Sequence, residues 1–168
     1  MEQQEANQTA DPVVYQVTTT QMRENLVEAL KSTGSTFNWI GGLSLVNTIL
    51  VLSNAGIMML GGLGITLVVD YLFLNSGSQL QPVGWGINIT IALMFFALAR
   101  FAGKGSKAAF LFGTVLYALD GALYVMIGDW VNVAFHAYFL WLLFRGFQAC
   151  GVIKQAIAEL DEQRAQTV

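Results

Sequence analysis

Long apolar runs separated by short polar turns fill the chain between residues 36 and 150. Three of them, Gly84–Ala102, Ala108–Gly128 and Trp130–Cys150, supply the roughly 20 helical residues that a hydrocarbon layer of about 30 Å requires. Ala55–Leu74 has the same length, and its Gly56, Gly61, Gly62 and Gly64 read as small residues that let neighbouring helices approach. Phe37–Ser53 is shorter. Trp39, Ile40, Leu43, Val46 and Leu50 form one face, and Gly41, Ser44, Asn47 and Thr48 the other. The uncharged polar face favours a short first span turned into a bundle over a helix lying at the interface.

Ahead of these runs, Met22, Leu26, Ala29 and Leu30 repeat at helical intervals opposite Arg23, Glu24, Glu28 and Lys31. With Thr18 and Gln21 at capping-box spacing and Gly34 as a stop, the pattern predicts a short amphipathic helix over Thr18–Lys31, packed on the membrane surface or frayed. Behind them, Val152, Ile153, Ala156, Ile157 and Leu160 continue an apolar stripe, so the last helix runs on past the membrane. The expected connections are a turn at Ser53–Gly56, a polar loop at Asn75–Val83, a basic loop at Arg100–Lys107 and a hairpin at Gly128–Trp130, where Asp129 caps the last helix. The chain thus divides into a polar segment 1–35, a helical bundle 36–150 and a polar tail 151–168.

Composition agrees with this reading. Of 168 residues 55% are apolar and 11% charged, against about 25% charged in ordinary soluble domains. Twelve of the 19 charges lie in 1–35 and 151–168. A water-soluble globule, a nucleic-acid binder (net charge −3) and a disulfide scaffold (Cys150 alone) are excluded. Met1–Asp11 is polar and acidic and lacks the order of a secretory signal. The fold class is an all-α integral membrane bundle of five transmembrane helices, or of four plus one interfacial helix.

Basic residues orient the bundle. Arg100, Lys104 and Lys107 share one loop, while Arg145, Lys154 and Arg164 follow two spans later, so both groups and the C-terminus belong in the cytoplasm. Five spans then place the N-terminus outside, yet Arg23 and Lys31 favour inside.

Ionisable groups in a bilayer point to function or to helix–helix glue. Asp120 and His136 are symmetric about Gly128, and each falls roughly 10–12 Å below the outer surface on adjacent antiparallel helices. Asp70 and Asn88 enter from the same side. Asp70, Asn88, Asp120 and His136 therefore form a candidate outward polar site, with Tyr117, Tyr124 and Asn132 nearby. Its readings are polar glue, or a site for a proton, a cation or a small polar ligand. No metal-ligand spacing, phosphate loop or nucleophile turn is present, and Ser44 with His136 is the one pair a hydrolase would have, so no enzyme, cofactor or metal is expected. Thr114, Ala118 and Ala122 form a small-residue face, read as an internal contact with a homodimer seam as the alternative. Cys150 reads as an inert thiol rather than a lipidation site.

The stretches Trp39–Leu50 and Tyr117–Gln148 carry a Tyr-Ala-Leu-Asp sequence, a Gly-Asp-Trp hairpin and a Phe-His helix ending in Arg-Gly. In these the chain resembles a group of small, uncharacterised bacterial polytopic membrane proteins. The resemblance implies a bacterial inner membrane and brings no activity with it. The expected role is a non-enzymatic structural or partner-interaction protein in the lipid bilayer, with a protein partner or a second copy of itself. A small transporter or permeation component is the alternative.

Overall fold

A computed structural model describes residues 12–53, 61–74 and 79–166. Among them there are six helices and no strand: α1 (Pro12–Ser32), α2 (Ser35–Leu52), α3 (Gly64–Leu74), α4 (Gln81–Ala102), α5 (Lys107–Ile127) and α6 (Trp130–Gln166). Three stretches are long and apolar enough to cross a membrane, namely α4, α5 and Thr19–Leu52, whose apolar part is α2. The helix ends follow local chemistry. Ser106 Oγ accepts the Ala109 N–H (3.2 Å) at the start of α5, and Gly128 closes that helix at φ 74°, a conformation that favours glycine. Asp129 Oδ1 accepts the Asn132 N–H at 3.1 Å, so the expected cap of α6 is present.

In hydrocarbon, apolar burial gains little, and helices associate through close packing of small residues. Here a β-carbon on Gly41 would stand 3.1 Å from the Ala92 carbonyl, and one on Gly146 would stand 2.9 Å from the Phe110 ring. These approaches fix α2 antiparallel to α4 and bring α6 onto the core of Phe37, Ile40, Phe95, Phe110, Tyr117 and Leu143. The surface is inverted relative to a water-soluble protein. Asp70, Asn88, Asp120, Asn132 and His136 are buried, while Ile49, Leu93, Leu111, Leu119, Met126 and Phe144 are exposed.

Several expectations change. The described helix α1 runs from Pro12, so Thr18 lies inside it rather than at its start. Helix α1 lies antiparallel along the extension of α6. Arg23 pairs with Asp161 (2.6 Å), and the Thr33 carbonyl meets Gly146. Ala55–Leu74 is not one helix: residues 61–63 are non-helical and α3 starts only at Gly64. At 11 residues it is about 16 Å long, half a crossing. Residues 54–60 of that span, with most of the expected turn at 53–56, lie outside the described residues, as do 75–78 of the Asn75–Val83 loop. The remainder of that loop is largely helical, since α4 begins at Gln81 with Pro82 in its first turn, where a missing N–H costs nothing. Ala118 and Ala122 are exposed, so their small-residue face points outward and is not an internal contact. Cys150 is buried and closed to lipidation.

On α2 the polar face is buried as expected (Gly41, Ser44, Asn47, Thr48), joined by Phe37 and Ile40, while Trp39 and Ile49 face out.

Candidate functional site

Unwinding the chain at 61–63 inside a helical bundle strands backbone groups that a continuous helix would pair. Four donors at and just after the break meet side chains of three other helices. The Gly61 N–H donates to Asn132 Oδ1 of α6 (3.3 Å), and the Leu63 N–H to Ser44 Oγ of α2 (2.9 Å). The Gly64 and Ile65 N–H groups donate to Asp120 Oδ2 and Oδ1 of α5, both at 2.8 Å. Asp120 therefore caps the N-terminus of α3, where the helix dipole favours an anion. Two carbonyls are also met: Tyr117 Oη donates to the Gly61 oxygen (3.1 Å) and Thr66 Oγ1 to that of Leu63 (2.7 Å).

The glycines let this backbone enter. Gly61 has φ 83°. A β-carbon on Gly62 would collide with the Asn47 amide, and one on Gly64 would stand 2.8 Å from the Tyr124 ring. These small residues thus serve close approach of an unwound segment, not the helix–helix contact anticipated from their composition.

Asp120 and His136 do meet. His136 Nε2 lies 3.0 Å from Asp120 Oδ2, and Nδ1 lies 2.9 Å from the Asn132 carbonyl. A carbonyl only accepts, so Nδ1 carries a hydrogen. Nε2 then faces an acceptor oxygen, and the contact is a hydrogen bond only with a proton between them. The imidazole stacks on Tyr117 (centroids 4.4 Å apart, 12° between planes), with Tyr124 at 4.9 Å on it as well. Both residues are more than nine-tenths buried.

Asp70 and Asn88 form a second pair, with Asn88 Nδ2 donating to Asp70 Oδ1 at 2.7 Å. The same Nδ2 reaches Thr48 Oγ1 (3.1 Å) and the Thr66 carbonyl (3.2 Å). Six residues of α3 separate Asp70 from the Gly64 terminus, about 9 Å along its axis. The four residues anticipated as one cluster are thus two pairs, near the two ends of α3. Thr48 and Thr66 were not singled out as members. Their signal was faint, because a lone threonine on an apolar helix is ordinary packing chemistry.

A cavity of about 390 Å³ between α3, α4 and α5 reaches this region. Its wall is aliphatic and aromatic (Leu63, Ile91, Phe95, Leu119) except for Asp120. Ser44 donates to the Ile40 carbonyl (2.8 Å) while accepting from Leu63, and both His136 nitrogens are engaged elsewhere, so the two do not form a nucleophile–base pair. Among the described residues no three of His, Cys, Asp and Glu group as metal ligands. No protein family, curated protein or solved structure matches the chain.

Proposed function

We propose that this is a non-enzymatic integral membrane protein of structural or partner-interaction type, in the cytoplasmic membrane of a bacterium. The observation that carries the reading is how the polar core is used. Asn132, Ser44 and Asp120 are consumed in pairing the backbone at 61–65, and His136 in holding Asp120. Residues so engaged hold a fold together, and the apolar wall of the adjoining cavity agrees with a dry interior.

In this reading α2, α4, α5 and α6 cross the bilayer, while residues 61–63 and α3 occupy its outer half without crossing. Four crossings replace five. The support is the level of the chain at each end. Gly34, before α2, lies against Ala99 and Gly103, beside the basic loop, and Gly103 lies against the Lys31 backbone. Gly62 sits beside Leu43 and Asn47, well back from the end of α2 at Leu52. The N-terminus then joins the C-terminus in the cytoplasm, and Arg23 and Lys31 no longer conflict with the other basic residues. A cavity of about 600 Å³ lined by Lys31, Asn38, Arg100 and Lys104 lies at that level, suited to anionic lipid headgroups. The outward Ala118–Ala122 face is the place for close contact with a second copy or another membrane protein.

A second reading, permeation of a proton, a cation or a small polar ligand, draws on the broken helix, since discontinuous helices line binding sites in transporters. Solvent labelling separates the two. With cysteines placed at Leu123 and Leu116, beside Asp120, the structural role expects no reaction with a charged thiol reagent from outside. Labelling at both positions would overturn it.

A further inference from the structure

We propose that Asp70, Asn88 and Thr48, where α3 lies against α2 and α4, bind one monovalent cation, either a proton or a sodium-sized alkali ion. The first observation is a shortage of donors. Asn88 Nδ2 has two hydrogens and faces Asp70 Oδ1 (2.7 Å), Thr48 Oγ1 (3.1 Å) and the Thr66 carbonyl (3.2 Å), and the Thr48 hydroxyl brings one hydrogen more, toward Asp70. Asp70 Oδ2 and Asn88 Oδ1 are buried with no donor among the described residues. Asp70 is 3% and Asn88 0% exposed, so neither oxygen is left to bulk water. Buried polar atoms are nearly always paired, and an orphaned acceptor on each member of one hydrogen-bonded pair marks a place for positive charge.

Charge points the same way. A carboxylate in an apolar interior is costly unless a cation or a proton neutralises it. Among the described residues no such cation lies here. Helix α2 has no charged residue, Asp70 is the only one in α3, and in α4 the only one is Arg100. Arg100 is twelve residues from Asn88, about 18 Å along the helix. The groups that face Asp70 are Asn88 from α4 and the hydroxyl of Thr48 from α2, both neutral. Asp120 is the contrast, with a backbone donor on each oxygen and the His136 imidazole 3.0 Å away. One carboxylate calls for one positive charge, which selects a monovalent ion over a divalent one.

The two occupants use the same atoms. An alkali ion would bridge Asp70 Oδ2 and Asn88 Oδ1, with Thr48 Oγ1 as a further oxygen, in keeping with the preference of hard cations for oxygen ligands. A proton on Asp70 Oδ2 would be donated to Asn88 Oδ1, closing an acid–amide ring with the Nδ2–H···Oδ1 bond already present. Asp70 is four residues from Leu74, about 6 Å from the end of α3, so the route from that end is short. The binding chemistry does not depend on the scaffold role of Asp120, and failure of either leaves the other standing.

The test uses the full-length protein in lipid nanodiscs, melted in sodium chloride and in choline chloride at equal ionic strength. A saturable rise of the melting temperature in sodium alone identifies an alkali ion. It should vanish in Asp70→Asn and need at least about tenfold more sodium in Thr48→Val. Equal melting in both salts, with an infrared carboxylic-acid band at neutral pH that Asp70→Asn removes, identifies a proton. If Asp70→Asn does not assemble, Asp70→Glu serves, because it keeps the acid and shifts its band. Equal melting with no such band means an ionised carboxylate without a counter-charge, and overturns the site.

Discussion

Asp120 Oδ2 is shared between two partners far apart in the chain, the Gly64 N–H at 2.8 Å and His136 Nε2 at 3.0 Å. One carboxylate thus joins α5, α6 and the start of α3. Removing Asp120 strands two backbone donors and an imidazole, whereas removing His136 strands one carboxylate lone pair. At 1–3 kcal/mol per buried unsatisfied group, less where the membrane-unfolded state finds other partners, Asp120→Ala should destabilise by about 3 kcal/mol and His136→Ala by about 1–2. The double variant should fall short of the sum by about 1 kcal/mol, because the interaction is lost only once. Denaturation in mixed micelles measures all three, and strict additivity would refute the coupling.

The glycines of the break should rank by what their β-carbons meet. Gly64→Ala drives a methyl group to 2.8 Å from the Tyr124 ring, and Gly62→Ala drives one into the Asn47 amide. Each should cost about 1–3 kcal/mol, the range for overpacked interiors. Gly86→Ala, in α4, meets nothing within 4 Å and should be neutral or stabilising by up to about 1 kcal/mol. Equal effects at Gly64 and Gly86 would contradict the close approach of the unwound segment.

The parts of this architecture that are local in sequence were legible before any coordinates. Asp120 and His136 could be paired because they are symmetric about a two-residue hairpin, and Asp129 could be named as a cap from its place before Trp130. The break at 61–63 was not legible, since its Gly-Gly-Leu-Gly segment has the apolar character of a crossing helix, and small residues serve helix contact equally well. What distinguishes the two is a set of acceptors on other helices, Ser44, Asp120 and Asn132, and their convergence on one stretch of backbone is a property of tertiary structure. The docking of α1 on α6 was hidden for the same reason. Within the two apolar stripes Leu30 and Leu160 are buried while Met22 and Val152 stay exposed, a division that neither stripe shows by itself.

Acid should weaken the start of α6. The Asn132 side-chain amide and then its backbone N–H bond the Asp129 carboxylate and hold its pKa below the ordinary 3.8. A pKa lowered by folding gives stability that is full above the unfolded value and is lost as pH falls through the folded one. The loss therefore belongs below about pH 4, and it is small for so exposed a group. Asp129→Ala should cost about 1 kcal/mol at neutral pH, as for a lost N-cap. Asp129→Asn should keep most of the cap and flatten the acid limb. Stability curves at pH 7 and pH 3 for the three proteins measure this, and an unchanged acid limb in Asp129→Asn would place the titration elsewhere.

Both termini should lie on one side of the membrane. Helix α2 starts beside the basic loop, because a β-carbon on Gly103 would stand 2.9 Å from the Lys31 carbonyl. It ends at the opposite side, since Asn88, early in α4, reaches Thr48, late in α2, at 3.1 Å. From there the chain returns to mid-depth, where the Leu63 N–H meets Ser44 Oγ at 2.9 Å, and α3 leads back to the side it came from, with a β-carbon on Gly84 lying 2.7 Å from Phe73. The proposed four crossings follow from these levels, with no net crossing between α2 and α4. Reporter fusions at the N-terminus, after Lys104 and after Val168 should all report cytoplasm, and an insertion at Gln79 should report outside. Five crossings predict the N-terminal fusion outside with the others unchanged, so that one reporter decides between four crossings and five.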